Sequence, residues 1–417
     1  MGRLAARLAA VGAVTGAVGL YLTGPVVFSP WHRFFDLRVY RGAVRWWLQG
    51  RPLYDFVLPH TSKGFTYPPF AVLVLLPAAV GSETTAEVLL TVVSTALVVL
   101  TTWMLLTPVA TGHGWPRWFV VALAVPLVVA MEPIRETLGW GQVGLLLLAL
   151  ALADVAALRS ARPWAGACLG LAAAIKVTPG LFVLYLLLSG RRRAAAVAAG
   201  TFLAATALAF ALSPRDSVRF WTRELWETGR VGAADRTSDQ SLRGLLARLA
   251  DPQRHDRLVW ALLAAAVAVV GLARAARAAR AGDELTGVTL TGLVSCLVSP
   301  IAWTHHFFWV VPAVVVLVDV AGGTRLADTA PSWLRARPRQ VARAAAGGAV
   351  LVTGVFVSSL IWFFAGATAQ GAGVLEMLGE NAYLLASVAL LVLLPIRDVS
   401  APARRPARPR PAGSSPR

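Results

Sequence analysis

Apolar residues run through this chain in continuous blocks, separated by short polar or basic breaks. Strict alternation would mark half-buried strands, whereas unbroken blocks of roughly 15 to 20 residues mark helices able to cross a hydrocarbon layer. The blocks, read together with the arginine-rich connections between them, predict twelve spans, near 5–27, 86–107, 118–131, 142–158, 164–175, 177–190, 193–212, 258–275, 285–302, 306–321, 344–366 and 381–396. The run 68–80 is about a dozen residues long, short for a span, and counting it would put Arg159 and Arg191 to Arg193 outside, so it is predicted as a juxtamembrane or re-entrant helix on the external side. The pair 164–175 and 177–190 is predicted as a hairpin with Lys176 at its apex, because basic residues flank both outer ends. Only helices and closed barrels satisfy their backbone in lipid, so the expected fold is an all-α polytopic membrane bundle with external juxtamembrane helices.

Composition agrees: 57% of residues are hydrophobic and 14% charged, outside the range of ordinary soluble domains. The net charge of +18 invites a nucleic-acid reading, but arginine crowds the short connections, which is the pattern of cytoplasmic loops. Residues Met1 to Ala5, His113 to Arg117, Arg159 to Arg162, Arg191 to Arg193, Arg274 to Glu284, Arg325 to Arg343 and Arg397 to Arg417 are accordingly assigned to the cytoplasm, with both termini inside. Most of the positive excess then faces anionic membrane lipids, and nucleic acid is not an expected partner. The N-terminal run is too long for the apolar core of a signal peptide and lacks a clean cleavage site, so it is kept as a span. Cys168 and Cys296 lie in apolar runs without metal-ligand spacing and read as packing residues. Residues 1–396 form one membrane domain, and residues 397–417 a basic, Pro-rich tail expected to be disordered.

This topology gathers the chain's unusual polar residues on one side. Asp36 lies behind the first span and opens an amphipathic segment with Leu37, Tyr40, Val44, Trp47 and Leu48 on one stripe and Arg38, Arg41 and Arg45 opposite. Its carboxylate reads either as the N-cap of that helix or as a chemical group, and the two roles are compatible. Tyr67 precedes Pro68 and Pro69, which start a helix. Glu132, Arg135, Glu136 and Gln142 come out external, as do Lys176, His305, His306 and the loop 213–257. A lysine in an apolar stretch costs a few kcal/mol unless it reaches water, by snorkelling, or an anion such as phosphate. Adjacent histidines cannot both face one direction on a helix, so one of His305 and His306 is expected to touch a phosphate or sugar, and a two-histidine metal site is not expected. Asp239 reads as a helix start ahead of Leu242, Leu245, Leu246 and Leu249. The Asp, Gln, Ser and Arg of its loop suit either a solvated cap or sugar hydroxyls. No phosphate-binding glycine loop, dinucleotide fingerprint or zinc spacing is visible, so no cofactor is expected.

The series FDLRVYRGAVRWWLQGRPLYDF, FTYPPFAVLVLLP, GWGQVGLLLLAL, AAAIKVTPGLFVLYLLL, SDQSLRGLLARL and SPIAWTHHFFWVVP resembles glycosyltransferase family 87, integral membrane enzymes of the GT-C superfamily. The resemblance implies a GT-C-type bundle, a polyprenyl-phosphate sugar donor, usually mannose and in some members arabinofuranose, and a lipid-linked glycan acceptor on the outer face. External loops 28–85 and 213–257 would line the active site. Asp36 matches the family's first-external-loop aspartate, the base in such enzymes. Asp55 is the other carboxylate of that loop. Lys176, His305 or His306, and a nearby Arg such as Arg243 would hold the leaving phosphate, with Gln142, Asp239, Gln240, Tyr67 and Arg135 as further substrate contacts. Where relatives often read Gly-Gln-Val-Asn, this chain has Gly141, Gln142, Val143 and Gly144. A polyprenyl-linked transporter is the alternative of a different class. It would call for polar groups at the midplane and internal repeats, neither of which is clear here.

Overall fold

The computed structural model describes residues 2–22, 33–249, 257–368 and 371–399. Within them the chain is helical, with three isolated bridges and no strand. Helix α1 (Gly2–Leu22) leads to α2 (Phe35–Leu48) and α3 (Phe70–Ala79), the short external pieces expected before the second span. The long α4 (Glu83–His113) is opened by Ser82, whose side chain accepts from the Thr85 N–H, and closed by Gly114 in the left-handed region. Helix α5 (Arg117–Ala130) bends by 70° into α6 (Glu132–Trp140), where Pro133 starts the second piece. Then follow α7 (Gly144–Arg159), α8 (Ala167–Ile175), α9 (Leu181–Leu188) and α10 (Arg192–Leu212). The polar connection beyond carries α11 (Pro214–Arg219) and α12 (Leu242–Leu249). Helices α13 (Arg257–Arg280), α14 (Glu284–Val298), α15 (Val310–Ala321), α16 (Ser332–Arg335) and α17 (Pro338–Val357) come next. Last, α18 (Val374–Glu380) bends by 77° into α19 (Ala382–Leu393).

Six helices among the described residues are long and apolar enough to cross a membrane, or eight if each bent pair is one span. The twelve spans expected from hydropathy therefore include several short rods: α8 and α9 have 9 and 8 residues. For α8 and the 15-residue α14 the physical reason is burial by protein. Helix α14 is buried at every position from Glu284 to Leu297, and a rod wrapped in other helices need not match the lipid thickness. Its Thr289 and Thr291 hydroxyls donate to the carbonyls of Leu285 and Gly287, so they add no unmet polar group. At Gly292 a Cβ would lie 2.1 Å from the Trp309 ring, so the absent side chain lets that indole seat on the central helix.

Two polar clusters mark the two ends of the bundle. At one end Arg397 is buried and donates to Asp283 at 2.6 Å and to Asp319 at 2.9 Å, while His113 contacts Asp319 at 2.8 Å and Arg191 pairs with Glu284. His113, Arg191, Asp283, Glu284 and Arg397 come from the connections assigned to one side by arginine content. Arg397 itself departs from expectation, since it stands where the disordered tail was to begin. Two carboxylates at a protein-filled helix end need a cation, and the main chain continues to Asp398, whose N–H donates to the Arg325 carbonyl at 2.8 Å. Residues 400–417 lie outside the described residues. Arg41 also departs from its assignment to the exposed stripe of α2. It is buried, and its guanidinium donates to the carbonyls of Ala78 at 2.7 Å and Gly81 at 2.5 Å, closing the end of α3.

Removing Arg397 should strand two buried carboxylates. Arg397→Ala is expected to cost about 3–5 kcal/mol, read as a lower unfolding temperature in detergent, with Asp283→Asn in the same chain recovering part of the loss.

Candidate active site

At the other end, the start of α2 is tied to the end of α6 by a backbone bond from the Phe34 N–H to the Gly139 carbonyl, 3.0 Å. Phe34 takes the left-handed conformation, φ 53°, to make this turn. Asp36 follows in the first turn of α2, but Phe34 holds the cap position and no side chain caps the helix. The N-cap reading of Asp36 therefore fails, and its carboxylate accepts instead from Gln142 Nε2 at 2.5 Å. Gln142 reaches it because Gly141 ends α6 at φ 75°, where a Cβ would stand 2.7 Å from Leu37 Cβ. The other end of the amide, Gln142 Oε1, accepts from Tyr67 Oη at 2.7 Å, and Tyr67 Oη accepts from Tyr40 Oη at 2.9 Å. Pro68 and Pro69 launch α3 immediately behind Tyr67, as expected from their position.

Burial raises the Asp36 carboxyl from its ordinary 3.8 to about 6, against the opposing pull of the Gln142 bond and of Lys176 and Lys63. Such a group is ionised at neutral pH yet holds a proton more firmly than an exposed carboxylate, as a general base requires. Asp55 is bound to Arg219 at 2.5 Å and stands outside the cavity wall.

Lys176 occupies the break between α8 and the turn Thr178–Gly180, in extended conformation. Its Nζ lies 2.8 Å from His306 Nε2 and 5.2 Å from the centre of the Tyr67 ring. The Trp303 N–H donates to His306 Nδ1 at 3.1 Å, and that bond assigns the imidazole proton to Nε2. With Nε2 as a donor, the short contact is a hydrogen bond only when Lys176 accepts it as a neutral amine. Burial, opposed by Asp36, draws the ammonium down to about 8 and brings that form within reach. An anion entering here would turn both groups into donors.

These residues face one cavity of about 1080 Å³, large for a small-molecule site. Asp36, Tyr67, Arg135, Gln142, Lys176, His305 and His306 all line it. Both histidines reach it, contrary to the expectation of one, because Thr304–Trp309 is a tight 3₁₀ turn rather than an α-helix, with the rings 4.5 Å apart at 81°. Arg135 lines the wall but directs its guanidinium at protein, the Ala130 carbonyl and Ser359 Oγ at 2.6 Å.

The predicted loop residues Asp239, Gln240 and Arg243 do not reach the cavity. Asp239 accepts from the N–H groups of Ser241 and Ala302 at 3.0 and 2.9 Å. Gln240 Nε2 donates to the Thr237 and Glu380 carbonyls at 2.7 and 2.8 Å. They fasten the loop to the bundle, and Arg243, in α12, stays out of the cavity wall. Lys63, Arg230 and Arg236 line the cavity in their stead. A signal for Lys63 was present: the chain uses lysine at only two of its 39 basic positions, Lys63 and Lys176, and both face this cavity. Gly144, in the place of the frequent Asn, stays out of the wall, and a Cβ there would lie 3.0 Å from the Phe308 ring. Among the described residues no three His, Cys, Asp or Glu side chains gather as metal ligands.

No solved structure matches the chain. A polyprenol-phosphate-mannose-dependent alpha-(1-2)-phosphatidylinositol mannoside mannosyltransferase of Mycobacterium tuberculosis is 36% identical over 304 residues, 68% of this chain and 69% of the relative. Its namesake in Mycolicibacterium smegmatis is 35% identical over 327 residues, 73% of each chain. A Mycobacterium tuberculosis enzyme named for phosphatidylinositol pentamannoside is 30% identical over 297 residues, 69% of this chain and 66% of the relative. The profile of glycosyltransferase family 87 matches residues 65–300, from Tyr67 through Gln142 and Lys176 to the threshold of His305, and with these relatives it establishes that the chain belongs to that family and is a membrane glycosyltransferase.

Proposed function

We propose that the protein is an inverting mannosyltransferase that moves a mannosyl residue from a polyprenyl-phosphate donor to a hydroxyl of a phosphatidylinositol-mannoside-type acceptor. The observation that carries this reading is the pairing, in one cavity, of a carboxylate of raised basicity with a buried two-donor anion clamp. The relatives at 30–36% identity, all named for a mannosyl donor, favour mannose over arabinofuranose.

In this reading the donor phosphate lies between Lys176 Nζ and His306 Nε2, with Lys63 and Arg236 adding positive potential from the loops. Asp36 takes the proton of the acceptor hydroxyl as its oxygen attacks the anomeric carbon from the face opposite phosphate. The new carbon–oxygen bond forms as the bond to phosphate breaks, and the leaving oxygen keeps the electron pair beside the Lys176 ammonium and the His306 N–H. One displacement inverts the centre, so a β-linked donor yields an α-mannoside. Gln142 keeps the base oriented without taking part in proton transfer. The arginine bias of the opposite helix ends supports a site on the external face of the plasma membrane, with both termini cytoplasmic. Residues 1–396 would then act as one catalytic domain.

Asp36→Asn keeps an oxygen that can accept from Gln142 but loses the base. Transfer by purified protein is expected to fall by about 10² to 10⁴ with donor affinity retained; near-normal turnover at saturating donor would remove Asp36 from this role.

The dependence of kcat/KM on pH should be bell-shaped. It falls below about 6, where Asp36 takes up a proton, and again above about 8, where Lys176 loses one. Lys176→Arg stays charged throughout and should abolish the alkaline limb alone. An alkaline limb that persists in that variant belongs to another group.

Lys176→Ala removes one of the two clamp donors and should weaken donor binding at least tenfold, the scale of a charge-assisted contact, measured by titration of polyprenyl-phosphate-mannose. Unchanged affinity would return Lys176 to the role of a snorkelling residue.

A further inference from the structure

The cavity extends well past the clamp. Its other wall is α6, which presents Glu132, Arg135, Glu136 and Trp140, faced by the turn Ser358–Phe363 that ends α17. None of the mechanism above uses this lobe. Trp140 packs edge-on against Phe35, 5.9 Å between centres, which sets the lobe directly beside Asp36. Trp140 Nε1 donates to Glu136 at 2.5 Å. Glu132 is buried and saturated: one oxygen accepts from Trp362 Nε1 at 2.6 Å and the other from the Tyr383 hydroxyl. It therefore holds the Trp362 indole in place, while the residue as a whole stays 46% exposed.

Charge sorts what can enter. The clamp side carries Lys176 and Lys63, and the α6 side Glu132 and Glu136 against the single Arg135, whose guanidinium is turned to protein; Lys176, Lys63 and Glu136 act on the ionisation of Asp36. A phosphate is drawn to the first and repelled from the second. A hydrocarbon chain would strip the remaining water from the half-buried Glu136 carboxylate without return. A polyhydroxylated ring meets neither objection, since its hydroxyls donate to carboxylates and its C–H face stacks on indole. The location points the same way, since Trp140 on Phe35 sets the lobe next to Asp36, the group that in the proposed reading must reach the acceptor hydroxyl.

Resting on the proposed function, we infer that the lobe between α6 and the Ser358–Phe363 turn receives the hydroxylated ring of the acceptor, with Trp362 and Trp140 as stacking faces, Glu136 as a hydroxyl acceptor and Glu132 positioning Trp362. The test uses full-length protein in nanodiscs, with phosphatidylinositol mannosides and a phosphate-free alkyl mannoside as acceptors. Trp362→Ala should raise KM for both acceptors about tenfold, Trp362→Phe should restore most of the loss, and the dissociation constant for polyprenyl-phosphate-mannose should not move. An unchanged acceptor KM, or a weakened donor in place of a weakened acceptor, overturns the inference. If the wild-type protein transfers no mannose, the proposed function fails by itself. The lobe is then judged by tryptophan quenching: alkyl mannoside should quench the wild type at about tenfold lower concentration than Trp362→Ala, and equal quenching of both, or none of the wild type, refutes it.

Discussion

The bond between Gln142 and Asp36 organises this active site. A carboxylate buried at the wall of a cavity has lost most of its water, and a single amide donor replaces part of it. That amide is fixed from behind, because its carbonyl oxygen accepts from Tyr67 and only one orientation of the side chain satisfies both neighbours. The geometry traces to the backbone: the Phe34 bond to Gly139 and the left-handed Gly141 bring α2, α6 and the start of α7 to one point. Donor and acceptor roles then follow in order along Tyr40, Tyr67, Gln142 and Asp36, ending on the carboxylate proposed as the base.

The same low dielectric that raises Asp36 lowers Lys176, so the two groups of opposite chemistry converge toward neutrality from either side. A lysine serves here better than arginine. Its proton is labile when desolvated, and an arriving anion stabilises the ammonium. In a chain that otherwise relies on arginine, the choice is informative. The arginines do different work: Arg397, Arg41 and Arg248 sit buried, each with several donors on carboxylates, carbonyls or an amide oxygen. A planar, permanently charged fork suits such structural posts, whereas a site that changes charge needs the softer base.

Much of this was legible beforehand. The apolar blocks mark where helices run because lipid tolerates no unpaired backbone, and the arginine-rich connections foretell which ends share a side. Asp36, Gln142, Lys176 and His306 stand out because each is a polar group where apolar sequence is the rule, and each does line the cavity. The loop between α10 and α13 yielded less. Asp239, Gln240 and Arg243 sit in polar sequence, where composition cannot say which face a side chain takes. In the fold Asp239 and Gln240 pin the loop to Ala302 and Glu380, while Arg236, seven residues before Arg243, faces the cavity.

What the sequence determined by itself was the class of the protein and the identity of its chemically strained residues, since both follow from the cost of placing polar groups next to lipid. What only the tertiary structure decided was partnership. Asp36 meets Gln142 across 106 positions and Lys176 meets His306 across 130. Glu132 meets Trp362 across 230. No local period encodes such distances. The length of the buried rods was likewise beyond hydropathy, because α14 is surrounded by protein and not by lipid, and the solvent that a helix faces is a property of the whole fold.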